Sequence, residues 1–369
     1  RVLVVGENAI KMMTVGGGSS SLKVQREISP LEGLKARLAK DGIDVDYARG
    51  YVGDVTGNYN GVTTGQNLND NRSEAELIAE AIEKAKTADY VIMFGGLNKS
   101  DFQDCEGHDR KQFELPYNQN KLIEALAKAN KNFVYVNISG NAVAMPWKEK
   151  VAGIVQGWFI GSESGEALAS ILTGDANPCG KLPFTWVNSL NEVGAHALNT
   201  YPGTWRQEGG ASTKGNIIDE EYKEGIYVGY RWTDKERIKP TFAFGHGQSY
   251  TQFAISNLRS DKSALTQDDT IAFTVNVKNT GKRAGSEVVQ LYIHDVKSSV
   301  DRPKKELKGF QKVYLQPGEN KDVTITINKE ALSFYDELSS SWKAEAGKFE
   351  VLVGNASDNL KLKKVFELK

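Results

Sequence analysis

The chain has 369 residues, 40% of them hydrophobic and 25% charged, the composition of an ordinary globular protein, and its length predicts two or three domains. A formal net charge of -1 removes any electrostatic reason to expect nucleic acid or an anionic membrane surface as a partner. No run of 18 apolar residues occurs, so no membrane-spanning helix is expected. The two cysteines, Cys105 and Cys179, fit one disulfide or two free thiols equally, and neither has metal-ligand spacing around it. The chain begins at Arg1, directly in a strand pattern with no signal-like segment, and reads as a cut end.

The first half alternates between two periodicities. Short apolar runs at Val2–Val5, Asp44–Tyr47, Tyr90–Phe94, Phe133–Ile138 and Gly153–Val155 predict buried strands. Between them, Ser29 and Pro30 supply an N-cap and an N1 proline for a helix carrying Leu31, Leu34 and Leu38 and ending at Gly42. Ser73 through Glu76 form a capping box ahead of Leu77, Ile78 and Ile82. A third helix is predicted from Pro116 through Leu126 and a fourth over Gly165–Leu172. Strands alternating with helices predict a mostly parallel sheet covered on both faces. Lys181–Thr185 reads as an added edge strand, and from Val187 to Tyr250 the period breaks up into a connector. From Phe253 onward, runs of period two at Ile271–Val277, Glu287–Ile293, Lys321–Ile327 and Lys348–Val353 predict a β-sandwich.

The chemistry concentrates in the loop after Tyr90–Gly96, where Asp104, Cys105, Glu106, Gly107, His108, Asp109 and Arg110 follow one another. Loops at the C-terminal ends of α/β strands face ligands, and loops this long are commonly functional. Glu106 is the expected proton donor, its pKa raised by burial or by the like charge of Asp109. Arg110 is expected to anchor the loop through a bidentate pair to Asp109 or Asp104. The bland alternative is a solvated charged turn. A second polar loop, Gly16 through Ser21, fits neither phosphate-binding fingerprint, which argues against a nucleotide-binding protein. Its backbone and hydroxyl donors suit a neutral polar ligand such as a sugar, or it is simply a flexible loop. His196, His246 and His294 are read as structural, and most of Trp158, Trp186, Trp205, Tyr227, Tyr230 and Trp232 as core. No cluster of His, Cys and carboxylates shows metal spacing, so neither a metal nor a cofactor is expected.

Taken in order, these residues resemble glycoside hydrolase family 3, of the β-glucosidase type. Arg1–Ala9 with Gly16–Ser19 is similar to the start of the family's α/β sandwich, and Cys105–Arg110 with Leu115-Pro116 to its acid/base loop. Gly161–Gly165, Gly180–Trp186, Tyr222–Arg231, Phe244–Tyr250 and Arg302–Phe310 follow in the family's order. The resemblance implies a fold class of α/β plus all-β: an α/β sandwich over 1–190, a connector packed on it over 191–252, and a fibronectin type III-like β-sandwich over 253–369. It implies a retaining, exo-acting β-glycosidase that removes terminal β-D-glucosyl residues from β-linked oligosaccharides. Glu106 would be the general acid/base, Ser19 and Ser20 would line the sugar subsite, and Asp109 and Arg110 would support the loop. The family's N-terminal TIM-like barrel, which carries the nucleophilic Asp, has no counterpart here. The chain alone is therefore expected to be inactive, with the barrel as a partner domain in the same gene product or a separate chain. The compartment stays unread, with a periplasmic or secreted location favoured. The competing reading is a non-catalytic carbohydrate-binding or scaffolding module.

Overall fold

A computed structural model describes residues 1–53, 58–59 and 61–369, which fall into two compact units, Arg1–Ala176 and Asn177–Lys369. The first is built on five parallel strands: β1 Val2–Val5, β2 Val45–Ala48, β3 Tyr90–Gly96, β4 Phe133–Ile138 and β5 Gly153–Gln156. Their spatial order is β2-β1-β3-β4-β5, with every neighbouring pair parallel. Four helices, α1 Pro30–Ala39, α2 Glu74–Thr87, α3 Gln119–Ala129 and α4 Ser164–Thr173, complete the layers. Val2, Val4, Ile92, Phe94, Val136 and Ile138 form one core with Leu31, Leu34 and Leu38 of α1 and Leu168 of α4. The intervening strand residues, Leu3, Val5, Val91, Met93, Phe133 and Tyr135, are equally buried and by the pleat point to the opposite face.

Local signals explain the helix boundaries. Ser29 and Ser73 each close a complete capping box, with Glu32 and Glu76 respectively. Helix α3 starts at Gln119 rather than at Pro116, because Tyr117 and Asn118 take left-handed backbone conformations (φ 59° and 54°) that no helix can include. Helices α1 and α4 touch through Gly33 and Gly165. A Cβ at Gly33 would sit 2.1 Å from the Gly165 carbonyl oxygen, so this helix contact requires a residue without a side chain.

In the second unit Lys181–Thr185 forms no strand; instead Trp186 makes an isolated antiparallel bridge to Phe242, burying the indole. Two short helices, α5 Gly194–Ala197 and α6 Tyr230–Glu236, precede a β-sandwich. One of its sheets contains β6 Phe253–Ser260, β8 Thr270–Asn279 and β11 Asn320–Asn328 in the order β6-β8-β11. The other contains β7 Ala264–Leu265, β9 Gly285–Asp295, β10 Glu306–Leu315, β12 Gly347–Gly354 and β13 Leu362–Leu368 in the order β7-β13-β12-β9-β10. Alternate residues of β8 (Ile271, Phe273, Val275, Val277) meet Leu291, Phe349, Val351 and Phe366 of the facing sheet in one core. Arg302, nearly buried, pairs with Asp295 at 3.3 Å and Glu306 at 2.8 Å and donates to the Leu332 carbonyl, which pins the start of β10. Both cysteines are free thiols.

Candidate active site

Reversing the strand order between β1 and β3 sends the chain after β1 to one side and the chain after β3 to the other. The carboxyl ends of such a pair open a crevice, the topological switch point. Here the two segments leaving that point are the glycine-serine loop and the loop from Leu97 to Asn118 that carries Glu106. The sheet topology, rather than any motif, brings the two expected site segments together. Asn8, buried just past β1, ties them at the root: its amide donates to the carbonyls of Gly95 and Leu97, each at 3.0 Å. Glu7 beside it is fully buried and accepts from Arg49 at 2.7 Å and from the Gly53 N–H at 2.6 Å.

The base of the Glu106 loop is dense with internal hydrogen bonds. Asn98, Ser100 and Gln103 are buried. The Asn98 N–H donates to the Gln103 side chain at 2.9 Å, and the Ser100 N–H to the Asn98 side chain at 2.8 Å. Gln103 donates to the Tyr117 hydroxyl. Asp104 accepts from the Gly140 N–H at 2.6 Å and from the Asn141 amide at 2.7 Å, which ties the loop to the end of β4. Burial pushes the Asp104 carboxyl above its ordinary pKa, against the pull of the Gly140 N–H, the Arg110 charge and Asn141.

The tip is different. Glu106, Gly107, His108 and Asp109 are exposed. The Glu106 N–H donates to the Gly17 carbonyl at 2.9 Å, and its carboxylate accepts from the Ser19 N–H at 2.6 Å. Hydrogen bonding by Ser19, through its side chain and then its backbone, holds the Glu106 carboxyl below the ordinary value. The expected upward shift from burial or from Asp109 is thus reversed: the carboxylate is solvated, and its nearest partners are donors that favour the charged form. Arg110 also differs from expectation. Its guanidinium donates to the Ala142 carbonyl at 2.6 Å and lies 5.8 Å from the Phe113 ring centre, while Asp104 and Glu114 act on it through charge without a bidentate pair.

Gly16, Gly17 and Gly18 all have positive φ (97°, 78° and 93°). At Gly18 a Cβ would fall 2.5 Å from the Glu106 Cβ, so the loop can pass against this glutamate only because that residue is glycine. The loop is clamped at both ends, by Leu22 N–H to Thr14 carbonyl at 2.7 Å and by Glu27, which accepts from the Met13 and Thr14 N–H groups. Lys99, from the opposite loop, donates to the Ser20 carbonyl at 3.2 Å. Ser19 and Ser20 are exposed. A cleft of about 280 Å³ opens between the two loops, lined by Lys11, Thr14, Ser20, Lys99, Asp104 and Trp158 among others. A larger open hollow of about 690 Å³ lies at the opposite end of the sheet, around Arg1, Tyr90 and Asn132. The switch-point cleft has the stronger claim, because ligands of parallel sheets bind beyond the carboxyl ends of the strands.

Asn8, Asn98 and Lys99 carry no sequence signal of a site, since a lone polar residue after a strand has no signature of its own. Of the aromatics, Trp186, Tyr227 and Trp232 are buried as expected, Trp205 is half exposed, and Trp158 lines the cleft.

Residues 1–230 match the glycosyl hydrolase family 3 C-terminal domain, and residues 287–357 match a fibronectin type III-like domain. The chain belongs to glycosyl hydrolase family 3. It is 47% identical to the beta-glucosidase BoGH3A of Bacteroides ovatus, over 100% of this chain and 47% of that protein. It is 39% identical to the thermostable beta-glucosidase B of Acetivibrio thermocellus, over 98% of this chain and 44% of that one. The crystal structure of the GH3 beta-glucosidase of Bifidobacterium adolescentis superposes with a TM-score of 0.83 at 33% identity, covering 100% of this chain and 49% of that one. DesR, a beta-glucosidase of Streptomyces venezuelae solved with D-glucose, gives a TM-score of 0.85 at 27% identity over 100% of this chain and 56% of its own. The chain thus spans about half the length of the curated relatives it matches.

Proposed function

We propose that this family 3 chain is the C-terminal part of a retaining, exo-acting β-glucosidase, to which it contributes the general acid/base, Glu106. The reading is carried by one observation: a solvent-exposed carboxylate stands at the switch point of the α/β unit, oriented by the Ser19 N–H of the opposing loop. In the first half of the reaction Glu106 gives its proton to the glycosidic oxygen as the bond to the leaving group breaks. In the second it takes a proton from the water that releases the sugar from the enzyme. The nucleophile is an Asp of the barrel domain that the family resemblance implies.

Ser19 holds the Glu106 carboxyl below its ordinary value in this chain, so the acid role requires a change of surroundings. A carboxyl held charged by Ser19 is a poor acid near neutral pH. Retention places the nucleophilic carboxylate about 5–5.5 Å away. That like charge, together with the water-excluding wall of the barrel, raises the proton affinity of Glu106 into the working range. Ser19 and Ser20 contribute hydroxyls to the sugar subsite from the sandwich side, while Asp109 and Arg110 keep the loop in shape. The substrate is a β-linked oligosaccharide with a terminal glucosyl unit.

The test replaces Glu106 by Ala in a protein that carries the barrel. Turnover of an aryl β-glucoside with a poor leaving group should collapse, while an activated aryl glucoside still glycosylates the enzyme. Azide should then restore release of the sugar as a β-glycosyl azide. Unchanged turnover of the poor substrate sinks the assignment.

A further inference from the structure

The turn around Glu106 holds a second set of chemical groups that the hydrolytic reading leaves unused. One ligand atom from each of Asp101, Cys105 and His108 (a carboxylate oxygen, the Sγ and an imidazole nitrogen) lies within 4.8 Å of the other two. His108 Nδ1 is 3.7 Å from Asp101 Oδ1, and the Cys105 thiol donates to the His108 carbonyl at 3.5 Å. The His108 ring also lies against Phe102, 4.9 Å between centres, which fixes the side of the turn it occupies. In sequence the set reads Asp-x-x-x-Cys-x-x-His, the same separations as in common metal-ligand pairs, and this corrects the expectation that no such cluster has metal spacing. The set assembles because the chain turns back at Phe102, whose φ of 61° lies in the left-handed region.

We infer that Asp101, Cys105 and His108 form a binding site for a thiophilic divalent cation of the Zn²⁺ class. Thiolate and imidazole select such ions over Mg²⁺ or Ca²⁺, and three protein ligands leave a fourth position for water. With metal–ligand bonds of about 2.0–2.3 Å, a tetrahedral ion needs donor atoms roughly 3.3–3.8 Å apart. His108 Nδ1 and Asp101 Oδ1 already stand at that spacing, and both side chains are exposed, at 54% and 78% of their surface, which leaves them room to adjust toward the Cys105 sulfur. On binding, the Cys105 proton passes to solvent and the sulfur becomes the ligand. Cys105 and His108 flank Glu106 and Gly107, so the bound ion ties the two ends of the turn that carries the exposed carboxylate. The ion takes no part in hydrolysis, and the site stands whether or not Glu106 is the acid/base.

Titration of the whole chain with Co²⁺ tests the site without any assay of activity. One equivalent should produce a thiolate-to-cobalt charge-transfer band that Zn²⁺ abolishes by displacement. The band should vanish in Cys105→Ser, persist in Cys179→Ser, and require at least tenfold more metal in His108→Ala and in Asp101→Asn. A band that survives Cys105→Ser, or that disappears in Cys179→Ser, overturns the assignment, as does an affinity unchanged by both His108→Ala and Asp101→Asn. On the unaltered chain, Zn²⁺ should slow iodoacetamide alkylation of Cys105 but not of Cys179, read by peptide mass spectrometry. Equal rates at Cys105 with and without Zn²⁺ also reject the site.

Discussion

The base and the tip of the Glu106 loop sit a few residues apart and obey opposite rules. At the base, Asp104 is largely desolvated, satisfied by Gly140 and Asn141, and its pKa lies above the ordinary value. At the tip, Glu106 is fully solvated, held by Ser19, and its pKa lies below. Burial opposes charge on the first carboxyl, and donated hydrogen bonds favour charge on the second. The difference separates two tasks within one loop. The base spends its polar groups on fixing the backbone, and the tip leaves its carboxylate exposed, as the proposed acid/base role requires.

Substitutions can break this comparison in order of expected effect. Glu106→Gln should reduce kcat/KM for poorly activated glucosides by roughly 10²- to 10⁴-fold in a barrel-containing protein. The same change should leave the melting temperature of the chain almost untouched, since exposed positions usually shift stability by less than about 0.5 kcal/mol. A large loss of stability would show that the tip carries structure after all. Asp104→Ala should do the reverse in this chain. It removes the acceptor of the Gly140 N–H and the Asn141 amide, both exposed enough to turn to water, at a net cost of about 0.5–1.5 kcal/mol per hydrogen bond, measurable by urea or thermal unfolding.

Gly18→Ala sharpens the link between the loops. A Cβ there meets Glu106 and a backbone at φ 93°, so roughly 1–2 kcal/mol of strain is expected, with the Ser19–Glu106 hydrogen bond lost. The smallest effect is expected from Ser19→Ala, which removes the hydroxyl and keeps the N–H donor. The Glu106 carboxyl should then move part of the way back up toward its ordinary value. Carboxyl ¹³C titration of this chain by NMR should show Asp104 displaced upward and Glu106 downward. The two act oppositely on stability. The contribution of Asp104 is complete below the ordinary carboxylate value and is lost as pH rises through its raised one. That of Glu106 is complete above the ordinary value and is lost as pH falls through its lowered one. Repeating the titration with the barrel present should bring the Glu106 value up. A Glu106 carboxyl that stays depressed there contradicts the acid/base reading.

Much of the architecture is legible in the amino-acid sequence, because its signals are local. Apolar runs mark all five parallel strands to within two residues at either end, and the N-cap with N1 proline at Ser29 and the capping box at Ser73 place the starts of α1 and α2. Period-two patterning locates the main strands of the β-sandwich. The joint order of weak motifs points to the family, and it singles out Glu106, Ser19 and Ser20. Signals fail where the outcome rests on partners distant in sequence. Lys181–Thr185 has the composition of a strand but exchanges backbone hydrogen bonds with Gly245 and His246 only at Leu182, too few to make a strand. A local signal also misleads at α3, whose start moves to Gln119 because Tyr117 and Asn118 turn left-handed.

The amino-acid sequence by itself determined where the main strands and helices fall and that a parallel α/β unit precedes a β-sandwich, and it named the loop proposed to carry the chemistry. Periodicity, caps and turns are written within a few residues of where they act. Only the tertiary structure decided the β2-β1-β3-β4-β5 order that sets the Gly16–Ser21 loop against Glu106. It alone gave the two carboxyls of one loop opposite proton affinities and gathered Asp101, Cys105 and His108. A pKa depends on the solvent left around a group and on the donors that reach it through space, as Ser19 reaches Glu106 from another loop, and neither is encoded by neighbours along the chain.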